Sequence, residues 1–138
     1  MAADYTKEWV EYRQTLPVPF HVSGDFNGDG LIDHAWILIG DGRDAFGVFV
    51  LLGRTNSSPR VIEVLSYREC CAQSYAIALA PPGRHLTLCG RSAECPASDP
   101  KFITLKNPGF EFMKLGAAGA LFYWNPRSND FRSTPVSD

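Results

Sequence analysis

No stretch of this sequence is long and apolar enough to cross a membrane as a helix. The longest apolar runs, around 35–39 and 48–52, are strand-sized. An excess of one charge is also lacking. Thirteen Lys and Arg against 15 Asp and Glu leave a formal net charge of −2, which gives no general drive toward nucleic acid or acidic lipid. The signatures of several enzyme classes are missing too. There is no Gly-x-Ser-x-Gly elbow, no His-Glu-x-x-His, no Walker-type phosphate loop and no Gly-x-Gly-x-x-Gly ahead of a helix. His21, His34 and His85 stand singly. The four cysteines have no Cys-x-x-Cys pair and no neighbouring histidine, which removes the usual zinc spacings.

Without zinc, Cys70, Cys71, Cys89 and Cys95 are left with thiol or disulfide roles. Two disulfides, or one with a spare thiol, suit an oxidising compartment, whereas four reduced thiols would simply pack. Cys89 and Cys95 flank the small, charged segment 90–94, and a bridge is expected there. The start, Met1-Ala2-Ala3-Asp4, lacks the basic and apolar regions of a secretory signal. Taken literally this is a cytoplasmic chain. It equally suits a mature form carrying a start codon in place of a removed signal, and the cysteines favour that alternative.

What the chain does contain is one stretch with a chemically meaningful spacing, Gly24-Asp25-Phe26-Asn27-Gly28-Asp29-Gly30-Leu31-Ile32-Asp33. Asp25, Asn27 and Asp29 offer side-chain oxygens at alternate positions, Gly30 allows a sharp turn, the Leu31 carbonyl can face inward and Asp33 closes the set. These are calcium-loop features. The EF-hand pattern requires a Glu at loop position twelve, which here is Trp36, so this is not an EF-hand. Asp, Asn and Gly also build metal-free turns. Three carboxylates in nine residues repel one another without a cation, and calcium is the expected cofactor. Magnesium prefers few protein ligands and several waters, which suits this donor-rich loop less well. A lone solvent-facing loop of this kind binds calcium with a Kd of about 10⁻⁴–10⁻³ M, a site that fills outside the cytosol.

The loop resembles those of FG-GAP repeats, the integrin-type propeller repeats, in which the carboxylate at position nine is a direct ligand and the chain runs on into a strand. No second copy occurs, so the resemblance covers about a dozen residues and does not extend to a propeller, which needs at least about four blades.

Along the chain, Tyr5, Trp9, Tyr12 and Leu16 recur at helical spacing and predict a helix over about 4–15, stopped by Pro17 and Pro19. Apolar runs at 34–39 and 47–52 around the turn-forming 41–44 predict a hairpin covered on both faces, with a third strand at 60–65. The segment 67–73 is ambiguous between a helical turn and irregular chain. Further strands are expected at 75–79, 85–89, 102–106, 110–115, 120–124 and 130–136, with a loop over 90–101. At 138 residues one domain is expected. The predicted class is α+β, a curved antiparallel sheet of about seven or eight strands packed on one N-terminal helix.

The order of helix, calcium-type loop, apolar hairpin and a tail with Leu121-Phe122-Tyr123-Trp124, Phe131 and Ser137-Asp138 resembles a group of small Gram-negative bacterial proteins, some of which resemble immunity proteins paired with secreted antibacterial toxins. The resemblance is specific at the loop and the tail only. It implies a partner that is another protein, for instance a co-encoded toxin, while the cysteines carry the expectation of a periplasmic location.

Catalytic candidates are sparse. Cys70 or Cys71 with His85 would make a thiol–imidazole pair, and His34 adjoins the loop but is expected to be structural. The expected function is therefore non-enzymatic protein binding with a structural calcium loop. The alternatives are a calcium module of a surface assembly and, from a different class, a small hydrolase. The expected metal ligands are Asp25, Asn27, Asp29, Leu31 and Asp33. The expected partner-contacting residues are Arg91 in the long segment 84–101, and Arg127 beside Tyr123 and Trp124 at the tip 125–130, types enriched at interface hot spots.

Overall fold

β-branched and aromatic residues recurring at strand period turn nearly every periodic stretch into an extended segment. The computed structural model describes residues 20–138 apart from 43, 70, 92 and 93. The strands are β1 (His21–Gly24), β2 (Asp33–Ile39), β3 (Phe46–Leu52), β4 (Arg60–Tyr67), β5 (Tyr75–Ala80), β6 (Gly83–Leu86), β7 (Phe102–Leu105), β8 (Gly109–Lys114), β9 (Gly119–Asn125) and β10 (Asp130–Ser137). One short helix, α1 (Leu88–Arg91), and a 3-10 turn at Ala72–Ser74 complete the regular elements among the described residues.

The strands form three antiparallel sheets. The first has the order β1-β2-β3-β4, the second β10-β9-β8-β5, and β6-β7 make a separate ribbon. The first sheet and the second sheet bury a common core containing Ala35, Ile37, Val48 and Val50 on one side and Tyr75, Ile77, Phe110, Phe112 and Phe122 on the other. A smaller cluster, Ala80, Leu105, Leu121 and Val136, lies where the second sheet meets the ribbon. The second sheet is thus the middle of three layers.

This arrangement corrects the expected α+β class. Among the described residues strand accounts for 53% and helix for 6%, and ten strands in three sheets replace one curved sheet of seven or eight. The physical reason is that the apolar face of the first sheet is covered by the aromatic face of another sheet. The stretch 4–15, on which the helical part of the expectation rested, lies outside the described residues.

Other expectations fare better. The hairpin at β2 and β3 forms with Ile37 opposite Val48, and β4 follows as a meander. Its two strands are central, and β3 is buried or half-buried along its whole length. On β2, Trp36 and Leu38 are 37% and 45% exposed, so the expected burial of both faces does not hold for that strand. The segment predicted as a strand at 85–89 splits instead. β6 ends at Leu86, and Thr87 opens α1 by accepting the Gly90 N–H at 3.2 Å through its hydroxyl.

Candidate functional site

β1 and β2 pair directly, from His21 opposite Trp36 to Gly24 opposite Asp33, so the calcium-type stretch is the connection closing this hairpin. The loop folds around Asp25. Its Oδ1 accepts the N–H groups of Gly28 at 2.9 Å and Asp29 at 3.1 Å, and its Oδ2 accepts that of Gly30 at 2.8 Å. Gly28 and Gly30 supply φ of +75° and +85°, values that a side chain would strain. Asn27 Oδ1 accepts from the Asp29 N–H at 3.3 Å, and Asp29 Oδ1 accepts from that of Leu31 at 2.9 Å.

Asp33 finishes the loop and differs in kind. It has no exposed surface, its Oδ2 accepts the Phe26 N–H at 2.8 Å and its Oδ1 accepts the Gly53 N–H at 2.9 Å. The last contact requires the 52–53 backbone to come very close, since a Cβ on Gly53 would lie 2.5 Å from the Ile32 carbonyl oxygen. Burial pushes the Asp33 carboxyl above its ordinary range. The N–H groups of Gly53, Phe26 and Asn27 pull it back, while Asp29 raises it further.

Phe26 anchors the loop from below. Fully buried, it meets Phe110 at a centroid distance of 5.6 Å and Phe131 at 6.2 Å, both edge-on. This role was hidden in the sequence, although a lone aromatic inside an Asp, Asn and Gly segment is a usable signal for it.

The expected ligands Asp25, Asn27, Asp29, Leu31 and Asp33 thus share one loop, with the carboxylates held by backbone N–H donors. Among the described residues, the three-residue group of His, Cys, Asp and Glu whose ligand atoms lie within 4.8 Å of one another is Cys89, Cys95 and Asp99. Its two sulfurs are bonded to each other, with Cα atoms 5.3 Å apart, so it offers no thiolate pair to an ion. Cys71 is disulfide-bonded as well. His85 is tied by Nε2 to the Pro81 carbonyl at 2.7 Å, and the thiol–imidazole pair considered with Cys71 has no free thiol there.

The expected partner-contacting residues occupy two places. Arg91 is exposed at the end of α1, and Arg127 is exposed in the β9–β10 turn. Tyr123 and Trp124 follow strand alternation, Tyr123 packing on the small cluster and Trp124 on the large core, and both remain half-buried. They also line a cleft of about 380 Å³ together with Asn27 and Gly28 of the loop and residues 104–107. No signal along the chain marks this cleft, because its walls come from three separate segments.

A further feature is a histidine pair on the outer side of the first sheet. His21 Nε2 and His34 Nδ1 lie 2.8 Å apart, and the His21 ring sits 4.0 Å from that of Trp36. Burial, and then His34, push His21 below its ordinary value. His34 therefore has a local packing partner. Compared with family models, curated proteins and solved structures, the chain has no match.

Proposed function

We propose that this chain is a non-enzymatic protein-binding domain of the periplasm in which loop 25–33 holds a structural calcium ion. The observation that carries the calcium reading is Asp33, a fully buried carboxylate whose charged neighbour, Asp29, is also an anion. Backbone donors offset part of the cost of burying that charge, and a hard cation shared with Asp29 would offset the rest. The donor types suit such an ion, although the carboxylate oxygens of Asp25, Asp29 and Asp33 do not all lie within 4.8 Å of one another. Asp25, Asn27, Asp29 and Asp33 supply side-chain oxygens and Leu31 a carbonyl, the all-oxygen chemistry that calcium takes. The ion would brace the β1–β2 connection and take no part in a reaction.

The bond between Cys89 and Cys95 supports an oxidising compartment, where calcium is also plentiful enough to fill a weak site. The apolar outer side of the first sheet, with Trp36, Leu38 and Val61 exposed, supports a partner-binding role. The resemblance to toxin-immunity proteins makes the product of an adjacent gene the first partner to try. That partner is expected to bind at nanomolar affinity, and Arg91→Glu or Arg127→Glu is expected to weaken binding about fivefold or more. Calorimetric titration with purified neighbour products tests this. No binding to any of them, or substrate turnover that depends on Asp33, would overturn the reading.

A further inference from the structure

We propose that the cleft beside loop 25–33 is a saccharide subsite that takes one face of a pyranose ring. It exists because two neighbouring strands end at different levels. β8 and β9 pair from Met113 opposite Gly119 to Phe110 opposite Phe122, and no later pair follows, whereas β9 runs on to Asn125 paired only with β10. The edge of β9 at 123–125 is thereby left open as a floor. The loop forms one wall and the 104–107 segment the other. The walls meet where Asn107 lies over Gly28, since a Cβ on Gly28 would sit 2.8 Å from the Asn107 amide nitrogen.

The lining selects a class of ligand. Asn27 and Asn107 contribute carboxamides, Thr104 a hydroxyl, Lys106 an ammonium, and Tyr123 and Trp124 large amphipathic rings. Lys106 is the one charged residue among these, and Asp25 and Asp29 stand in the adjoining loop, so a phosphate or carboxylate ligand meets no net positive field. A wholly apolar ligand would strand the amides and the ammonium. A hydroxyl-rich ring with an apolar C–H face satisfies both parts of the lining, its hydroxyls meeting the polar groups and its face meeting the half-buried Trp124 ring. Trp124 is already braced edge-on against Phe131 at 5.3 Å, which limits the side-chain entropy lost on binding. The cleft is about 380 Å³, within the range of small-molecule sites and roughly enough for one or two sugar rings. The inference stands whether or not the loop holds calcium, because Thr104, Lys106, Asn107 and Trp124 lie outside the loop.

The test is a titration of the isotope-labelled full chain with methyl β-glucopyranoside, methyl α-mannopyranoside and N-acetylglucosamine, each to about 10 mM so that a millimolar Kd is detected. Inorganic phosphate serves as the anionic control. Runs are made in both calcium and chelator, and a response in either medium counts. At least one sugar is expected to shift the backbone amides of 27–28, 104–107 and 123–125 while those of β3 stay still. Trp124→Ala should weaken that response about tenfold. Because Trp124 also packs on Phe131, Asn107→Ala and Lys106→Ala serve as variants of residues outside the hydrophobic core. The account expects at least one of them to weaken binding about threefold or more with the β3 amides unchanged. Absence of cleft shifts with every sugar, shifts that all these variants leave unchanged, or a response to phosphate alone would overturn the proposal.

Discussion

Asp33 and Phe26 together set the geometry of the loop, one by accepting N–H groups from both sides and the other by filling the end of the core. Phe26→Ala leaves a cavity against Phe110 and Phe131 and is expected to destabilise the domain by about 3–5 kcal/mol, measured by denaturant unfolding. Asp33 can be followed by carboxyl carbon shifts. Its folded value lies above the ordinary 3.8, so in chelator its ionisation opposes folding at neutral pH. That opposition is relieved as pH falls through the folded value toward 3.8. A bound cation reverses the sign by favouring the ionised form, so the titration midpoint is expected to drop when calcium is added. A midpoint that calcium leaves in place would separate Asp33 from the metal site. At this scale the tight loop was legible in the sequence because Asp, Asn and Gly bond their own backbone and tolerate positive φ. The Gly53 contact was not, since it depends on a chain segment 20 residues away.

Among the elements, the β6–β7 ribbon is closed by contacts between segments well apart in sequence. Thr87 ties it together, its N–H donating to the Lys101 carbonyl at 3.0 Å and its hydroxyl to that of Pro100 at 2.7 Å. Arg84 lies over the Phe102 ring at 3.5 Å from the centroid. The Cys89–Cys95 bond then fixes α1 to the chain that follows it. Closing so short a loop contributes about 2 kcal/mol on the chain-entropy account. Reduction is therefore expected to speed hydrogen exchange at the Thr87, Gly90 and Arg91 amides while leaving that of β3 unchanged. Equal acceleration in both places would mean that the bridge stabilises the whole domain and not this element. Strands β2, β3, β4, β5, β8, β9 and β10 were readable because each runs for six residues or more, and the four-residue β7 because it alternates. The 83–91 segment was not. Its partial alternation continues through Cys89, but the Thr87 hydroxyl and carbonyl take the Gly90 N–H and start a helical turn there. β1 was also missed, being four residues long and identifiable only by its pairing with β2.

Across the molecule, the layered arrangement could not be read from the strands alone, because an alternating strand looks the same whether a helix or another sheet covers it. The rings of Tyr75 and Phe112, stacked at 5.1 Å, and those of Phe110 and Phe122, stacked at 5.4 Å, show how the second sheet supplies the bulk a helix would otherwise provide. The same layering puts the loop, Phe26 and the cleft at one end of the core, so that the proposed ion braces the hairpin carrying the open outer side. The most direct test compares melting of the full chain in chelator and in about 5 mM calcium, with Asp29→Ala beside it. At a Kd of about 10⁻⁴–10⁻³ M, mass action adds about 1–2 kcal/mol, a rise of roughly 3–8 °C for a domain of this size. Asp29→Ala is expected to remove most of that rise, and identical melting curves of the unaltered chain with and without calcium would contradict the account.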